Sequence, residues 1–137
     1  MPDDDVISSV ERLYERFNER DEAGIVALCD EGMEFFPVVT AEAVGRDAPY
    51  RGPAGLHDYL LDVAKIWEEL RLTPDRIECR GDTVLVRGRA YARSRELGIR
   101  DVPVAWIWEV RGALIVRGEV FPDPEQAIER FASTALA

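Results

Sequence analysis

The sequence predicts one α+β domain over residues 1–137, with helices covering one face of a strongly curved antiparallel sheet. The first observation is the order of the elements, because helical patterns fill the first half and strand patterns fill most of the second. The second is the size and composition, since 137 residues with 47% hydrophobic and 32% charged side chains can bury one core. We therefore expect a single domain.

Two helices and one strand are predicted before residue 40. The first helix is indicated by apolar residues at helical spacing, namely Val6, Val10, Leu13, Tyr14 and Phe17. Asp21 can cap a second, short helix. The stretch MEFFPVV, residues 33–39, is typical of a strand, and Pro37 indicates an edge or a bulge. Residues 40–51 are predicted to form a loop.

A third helix begins near Gly52 and Pro53, which suit the N-cap and the first turn. Its apolar stripe consists of Leu56, Tyr59, Leu60, Val63, Trp67 and Leu70. From residue 72 the pattern changes to that of strands joined by tight turns, which predicts an antiparallel meander of LTPDRIEC, TVLVRGRAYARS, VPVAWIWEV and ALIVRGEVF. Asp123 and Pro124 then begin a short C-terminal helix.

Strand alternation predicts which side chains face the helices. The inner set has no ionisable group: Val84, Val86, Gly88, Ala90, Ala92, Val104, Trp106, Trp108, Val110, Leu114, Val116, Gly118 and Val120. At its small residues, either the helices approach closely or a cavity remains. The opposite set carries paired arginines and glutamates on an outer face that water or a second subunit covers. Its apolar members favour a homodimer: Leu85, Tyr91, Ile107, Ile115 and Phe121.

Charge and composition argue against several classes of partner. A formal net charge of −10 repels nucleic-acid phosphates and anionic membrane surfaces. No signal peptide and no membrane span are predicted, so we expect a cytoplasmic protein. Cys29 and Cys79 lie in apolar patterns and are interpreted as reduced core residues. The single histidine, His57, argues against the usual zinc sites with two or three histidines, and we predict no metal.

The pattern resembles the nuclear transport factor 2-like superfamily and, within it, the SnoaL-like proteins. The resemblance rests on three stretches of the chain, SSVERLYERFNERDEAGIVALCDEGMEFF, YRGPAGLHDYL and VAWIWEVRGALIVRGEVFPDPEQAIERF. It implies a cone-shaped, cystatin-like α+β barrel with a pocket at its wide end, frequent dimerisation through the outer sheet face and no obligatory cofactor. Its members include ketosteroid isomerases, limonene epoxide hydrolases, scytalone dehydratases, polyketide cyclases and binding modules, so the fold leaves the function open.

The catalytic residues of these relatives have no counterparts at the matching positions. The carboxylate base of the isomerases falls on Phe36 and their tyrosine on Leu13; Tyr14 is rotated from that direction by about 100°. The inward acids and arginine of the epoxide hydrolases fall on Val120, Gly88 and Ala90. The resemblance therefore implies that both sets of catalytic groups are absent.

Three candidate catalytic residues remain, Glu34, His57 and Tyr14. Glu34 alternates onto the side of Phe36, where burial would suit a carboxylate to acid/base chemistry. The alternative is a glutamate that reaches solvent or pairs with Arg46 or Arg51. His57 lies off the centre of the apolar stripe, which favours an exposed residue over a catalytic base. Tyr14 could donate a hydrogen bond or simply pack.

The candidate ligand-binding residues are aromatic or apolar: Phe36, Tyr50, Tyr59, Trp67, Trp106, Trp108 and Val120. They predict a pocket for a small apolar or aromatic ligand, with isomerase-, cyclase- or hydrolase-like chemistry as one outcome. The alternative is a non-catalytic binding or dimerisation module in which Phe36, Trp106 and Trp108 fill the former active site. A third is an accessory protein that binds a protein partner through its tryptophan-rich sheet.

Overall fold

The computed structural model describes residues 2–136, and side chains over residues 4–133. It confirms the α+β class, with a curved, unclosed sheet and helices packed against it. The elements in chain order are α1 (Pro2–Asn18), α2 (Glu22–Leu28), β1 (Cys29–Phe36), α3 (Val38–Ala43), β2 (Tyr50–Arg51), α4 (Gly52–Ile66), β3 (Glu69–Arg80), β4 (Thr83–Ser94), β5 (Gly98–Arg111), β6 (Leu114–Phe121) and α5 (Pro124–Leu136). None of the helices within residues 2–136 is long and apolar enough to cross a membrane.

The six strands form one sheet in the order β2-β1-β6-β5-β4-β3. The predicted meander is correct, since β3 to β6 pair antiparallel in succession. β1 instead runs parallel to β6 and pairs antiparallel with the short β2. Pro74 lies on edge strand β3 at a shift in the register between Pro74 and Arg76. At this position the absence of its N–H disrupts the hydrogen-bond ladder least. A Cβ at Gly88 on β4 would collide with the Thr73 carbonyl oxygen on the neighbouring strand β3. This close approach of the two strands therefore requires glycine at position 88.

Local capping explains where the helices begin. The Asp21 carboxylate accepts a hydrogen bond from the Gly24 N–H at 3.0 Å, as predicted for the N-cap of α2. For α4 the N-cap is Arg51, not Gly52, and Gly52 adopts a φ of +65° that favours glycine. The predicted loop over residues 40–51 contains the end of α3 and β2. Helix α3 begins at Val38 with Pro37 as its N-cap, so the predicted strand 33–39 is wrong for its last residues and β1 ends at Phe36.

The inward-facing set is confirmed on β4 and β5, where Val84, Val86, Val104, Trp106 and Trp108 are all buried beneath the helices. On β6 the prediction is wrong for residues 114–116. At a bulge, Val110 pairs with Ile115 and Glu109 pairs with Arg117, so Val116 has no pairing partner on β5. The alternation of inward and outward side chains along β6 therefore shifts by one residue. Ile115 is therefore fully buried in the core, whereas Leu114 is exposed.

Helix α5 packs on the outer face of the sheet. Its Ala127 and Phe131 form a second apolar cluster with sheet residues Leu85, Ala105, Ile107 and Phe121. This part of the outer face is thus covered by the chain itself, which corrects the expectation that water or a second subunit covers it. Three of the five residues proposed for a dimer contact, Leu85, Ile107 and Phe121, are buried under α5, and Ile115 faces inward. These four residues therefore do not support a homodimer, which stays a prediction.

Candidate functional site

Five aromatic side chains fill the narrow part of the space between the sheet and the helices. Tyr14 of α1 meets Trp106 edge to face, with ring centroids 5.0 Å apart. Phe35 of β1 stacks on Trp108 at 5.6 Å and meets the edge of Tyr59 at 4.9 Å. All five are at least 94% buried, the most exposed being Phe35 and Tyr59 at 6%. These edge-to-face and stacked contacts fill this part of the interior with apolar rings.

One polar contact lies inside this aromatic cluster. The indole Nε1–H of Trp108 donates to the Tyr14 hydroxyl oxygen at 2.9 Å. Burial raises the pKa of Tyr14 well above its usual 10, although the bond from Trp108 acts in the opposite direction. Tyr14 is therefore neutral at any physiological pH. Since its oxygen is the acceptor in this bond, its own proton remains available to a second acceptor.

A small inner cavity of about 40 Å³ lies against the aromatic cluster. It has room for a few water molecules at most, and its walls are almost wholly apolar. The walls come from the two N-terminal helices, α4 and the sheet: Leu13, Tyr14, Phe17, Ile25, Met33, Phe35, Leu56, Tyr59, Leu60, Leu72, Trp106 and Trp108. This volume is too small for an organic ligand.

A larger outer cavity of about 320 Å³ lies between α3, the end of α4 and the inner face of the sheet. Its walls are Pro37, Val39, Thr40, Tyr59, Trp67, Leu70, Leu72, Ala90, Ala92, Arg100, Val102, Pro103, Val104, Trp106, Val120 and Pro122. Val39 and Val102 on its rim are 41% and 45% exposed, so the cavity opens to solvent there. The two cavities share Tyr59, Leu72 and Trp106 as walls.

The small residues of the inner face explain why the space is filled at one end and hollow at the other. A Cβ on Gly118 would collide with the Trp108 ring, so at this position the indole occupies the room that glycine leaves. Ala90 and Ala92 instead line the outer cavity. Of the two predicted outcomes, a cavity lies beside the alanines, whereas the close contact at Gly118 comes from Trp108 on the neighbouring strand and not from a helix.

The roof of the outer cavity is held by a polar contact between α3 and α4. The indole Nε1–H of Trp67 donates to the Thr40 hydroxyl oxygen at 3.5 Å, and both side chains are buried. Arg100 is the only charged side chain that lines either cavity among the described residues, and none of these walls carries a carboxylate. No group of three or more histidine, cysteine or carboxylate side chains in the described part of the chain could hold a metal ion.

The expectation that Glu34 and Phe36 face the interior is wrong. Met33 and Phe35 are the buried residues at this end of β1, which places Glu34 and Phe36 on the opposite face. The Glu34 carboxylate is 35% exposed and lies 2.5 Å from Arg51, the alternative already considered for it. Phe36 packs under the Arg117 guanidinium at 4.6 Å. Phe35 occupies the position in the aromatic cluster.

His57 is on the surface, as its position off the apolar stripe indicates, with 55% of its side chain exposed. Its Nδ1 lies 2.9 Å from Glu22 Oε1, which ties α4 to α2. The hydrogen bond to Glu22 and the glutamate's charge raise the pKa of His57 above 6.5. His57 lines neither of the two cavities.

The remaining predicted residues divide between the two cavities. Tyr14 and Trp108 line the inner cavity, Trp67 and Val120 line the outer one, and Tyr59 and Trp106 line both. Tyr50 is buried but lines neither, because its ring packs 5.3 Å from Tyr59 and its hydroxyl donates to Asp62 at 2.7 Å. Burial and Asp62 both raise its pKa above the usual 10.

Sequence reasoning missed Arg100 and Thr40 as cavity residues. β5 begins at Gly98, four residues before the predicted start of that strand. The alternation of Val102 and Val104 therefore extends back to Arg100, and this extension is the signal that could have identified it. Thr40 gave no such signal, since the segment around it was interpreted as a loop.

The fold is an α+β domain with a curved, unclosed six-stranded sheet, and comparison with known families assigns it. The profile of the SnoaL-like domain matches residues 10–118, so the chain belongs to the SnoaL-like family. No functionally curated protein matches it.

Several solved structures share this fold. An NTF2-like protein of unknown function from Burkholderia pseudomallei superposes with a TM-score of 0.79 at 19% identity, covering 91% of this chain and 95% of that one. TerC, co-crystallised with polyporic acid, gives 0.79 at 23% identity, covering 91% and 96%. A protein named a polyketide cyclase from Xanthomonas campestris pv. campestris gives 0.74 at 14% identity, covering 92% and 96%. At these identities the likeness establishes the fold alone.

Proposed function

We propose that this SnoaL-like protein binds a small, largely apolar molecule in the outer cavity. The observation that carries the proposal is a cavity of about 320 Å³ walled by indoles, a phenol and aliphatic side chains. This volume falls at the lower end of the range for small-molecule sites, roughly 300 to 1,000 Å³, and the mixture of walls is typical of them. The fold neighbour TerC was crystallised with polyporic acid, which is consistent with ligand binding.

The same geometry argues against general acid/base chemistry by a carboxylate. A catalytic acid must come within hydrogen-bond reach of the reacting group, and no carboxylate lines either cavity among the described residues. Glu34, the strongest candidate in the sequence, is engaged by Arg51 outside the core. Binding without turnover is therefore the function that the site supports best.

A second candidate is cyclase- or isomerase-like catalysis that depends on Tyr14. The observation that favours it is the neutral Tyr14 hydroxyl, which accepts from Trp108 and keeps a proton to donate. Because Tyr14 lines only the inner cavity, a ligand oxygen reaches it only past Tyr59, Leu72 and Trp106, the walls that the two cavities share. Such a donor can stabilise negative charge that develops on a ligand oxygen. In this case Tyr14→Phe would abolish turnover of a polyketide-like substrate and leave binding in the outer cavity intact.

The test of the binding proposal is a fluorescence titration with N-phenyl-1-naphthylamine, an uncharged apolar probe. We expect saturable binding of one probe per chain to the unmodified protein. Ala92→Phe places a ring in the outer cavity and should weaken binding by at least about tenfold, or 1.4 kcal/mol. Ala132→Phe adds the same ring to an exposed position on α5 and should bind the probe normally.

Circular dichroism establishes that each variant is folded. Should Ala92→Phe fail to fold, Ala90→Leu reduces the same cavity with a smaller addition. Equal binding by the unmodified protein and the folded cavity-filling variant would contradict the proposal, as would the absence of saturable binding. Glu34→Gln should bind the probe within about twofold of normal, because that carboxylate lies outside the cavity.

A further inference from the structure

We propose that the ligand carries an acidic group and that Arg100 binds this group at the rim of the outer cavity. The inference rests on the proposed function, because it assigns the chemistry of the molecule that the cavity takes. The expected ligand has an apolar body and a negatively charged carboxylate or phosphate group, and Arg100 recognises that group.

The position of Arg100 is fixed by the register of the sheet. It pairs with Ala92 on β4, and the neighbouring pairs Ala90 with Val102 and Gly88 with Val104 continue along the same face. Because strand neighbours alternate, Arg100 stands on the inner face together with Val102 and Val104. It is exposed at the open end of the strand while its side chain lines the outer cavity.

The ion pairs of this hairpin distinguish Arg100 from its neighbours. Arg89 lies 3.0 Å from Asp101, and Arg93 and Arg95 lie 2.7 Å and 3.2 Å from Glu68. No ion pair joins Arg100 to a carboxylate among the residues with described side chains, 4–133. In a chain with 27 acidic residues, the arginine on the cavity side of the hairpin is thus left available while those beside it are neutralised.

The surroundings of Arg100 favour an acid over a neutral polar group. The guanidinium presents its donors in a planar fork that suits carboxylate or phosphate oxygens, and such charge-assisted bonds are stronger than neutral ones. Val102 and Pro103 line the same cavity and offer apolar surface to the body of such a ligand. The net charge of −10 repels anions elsewhere, so a local cation is needed for an acid to be held here.

Thr40 supplies a second polar group in the same cavity. Its hydroxyl oxygen accepts from Trp67 and keeps a proton that can be donated to a ligand oxygen. The remaining walls are apolar apart from the Tyr59 phenol. The expected ligand therefore has an aromatic or aliphatic body between Trp67 and Trp106 and an acid directed to the solvent side.

The experiment measures displacement of N-phenyl-1-naphthylamine by three naphthalene compounds of similar size. Naphthalene-1-acetate carries a carboxylate, 1-naphthyl phosphate carries a phosphate, and 1-naphthalenemethanol is uncharged. In the unmodified protein we expect at least one acid to bind about tenfold more tightly than the alcohol. Whichever of the two acids binds more tightly shows whether the site prefers a carboxylate or a phosphate.

Two substitutions of Arg100 and a control separate charge from shape. Arg100→Gln should remove the preference for the acids and change the affinity for the alcohol less than about twofold. Arg100→Lys should keep part of the preference, because it retains the charge without the fork. Arg111→Gln removes an exposed arginine from the opposite end of β5 and should change nothing. Added salt should weaken acid binding in the unmodified protein and in Arg100→Lys, which both carry a cation at position 100, and not in Arg100→Gln.

The outcomes distinguish this inference from the proposed function. An acid preference that survives Arg100→Gln overturns the inference, as does a protein that binds the alcohol as tightly as both acids; in either case the cavity still binds a small molecule. A protein to which N-phenyl-1-naphthylamine does not bind saturably overturns the proposed function, and the inference falls with it.

Discussion

The Trp108 indole donates a hydrogen bond of 2.9 Å to the Tyr14 hydroxyl, joining residues 94 positions apart in the sequence. It links α1 to the C-terminal half of β5 inside the aromatic cluster. The contact closes the narrow end of the interior, and the space that remains for a ligand lies beyond Trp106. The stability of the domain therefore depends on this pair of residues, which line the inner cavity and not the outer one.

Tyr14→Phe should destabilise the protein by about 1–3 kcal/mol, because it leaves the buried Trp108 N–H without an acceptor. Urea unfolding followed by circular dichroism measures the change. Tyr91→Phe removes a hydroxyl from a partly exposed position on β4 and should cost much less. Equal losses of stability in the two variants would contradict a structural role for the hydrogen bond.

Gly118→Ala should also destabilise the fold, by about 1–3 kcal/mol, because the added methyl group overlaps the Trp108 ring. Gly32→Ala on β1 is the matched control, since its nearest neighbour would be an Asp30 carboxylate oxygen at 3.4 Å. Urea unfolding of both variants gives the comparison. Combining Gly118→Ala with Trp108→Phe should cost less than the sum of the single changes, and strict additivity would contradict the overlap.

The pairing of Glu22 with His57 predicts a stability that depends on pH. Because the folded pKa of His57 is raised above 6.5, the stabilisation is complete below pH 6.5 and is lost as the pH rises through the raised value. An NMR titration of the single histidine ring should give a pKa above 6.5 that falls in Glu22→Gln. Glu31→Gln, at an exposed site on β1, should leave it unchanged. The same pKa in all three proteins would contradict the pairing.

The sequence predicted the inner face of β4 and β5 because Val, Ala and Trp alternate there with Arg and Glu. The same reasoning failed where both faces carry apolar residues. Phe35 and Phe36 are consecutive aromatic residues, so the sequence does not show which ring faces the core. Phe35 faces inward in the structure, whereas the prediction placed Phe36 there. On β6, a bulge at Val116 changed the phase without any glycine or proline to indicate it.

The candidate site was only partly predictable for a related reason. The tryptophans, Tyr14, Tyr59 and Val120 could be placed near the cavities from alternation and helical spacing. Whether the space between them is filled depends on how far the helices stand from the sheet, which no residue pattern encodes. α3 and the extension of β5 supply Thr40 and Arg100, and both lie in segments that the sequence indicated as loops.

The interior is hollow beside Ala92 and filled beside Gly118. The most direct test is a crystal of the protein soaked in 1-bromonaphthalene, with the bromine located by its anomalous scattering. We expect a bromine peak in van der Waals contact, about 4 Å, with Trp67, Ala92 or Trp106, and none beside Tyr14. An outer cavity closed by side chains of α3, or a bromine bound only among Tyr14, Phe35 and Trp108, would contradict it.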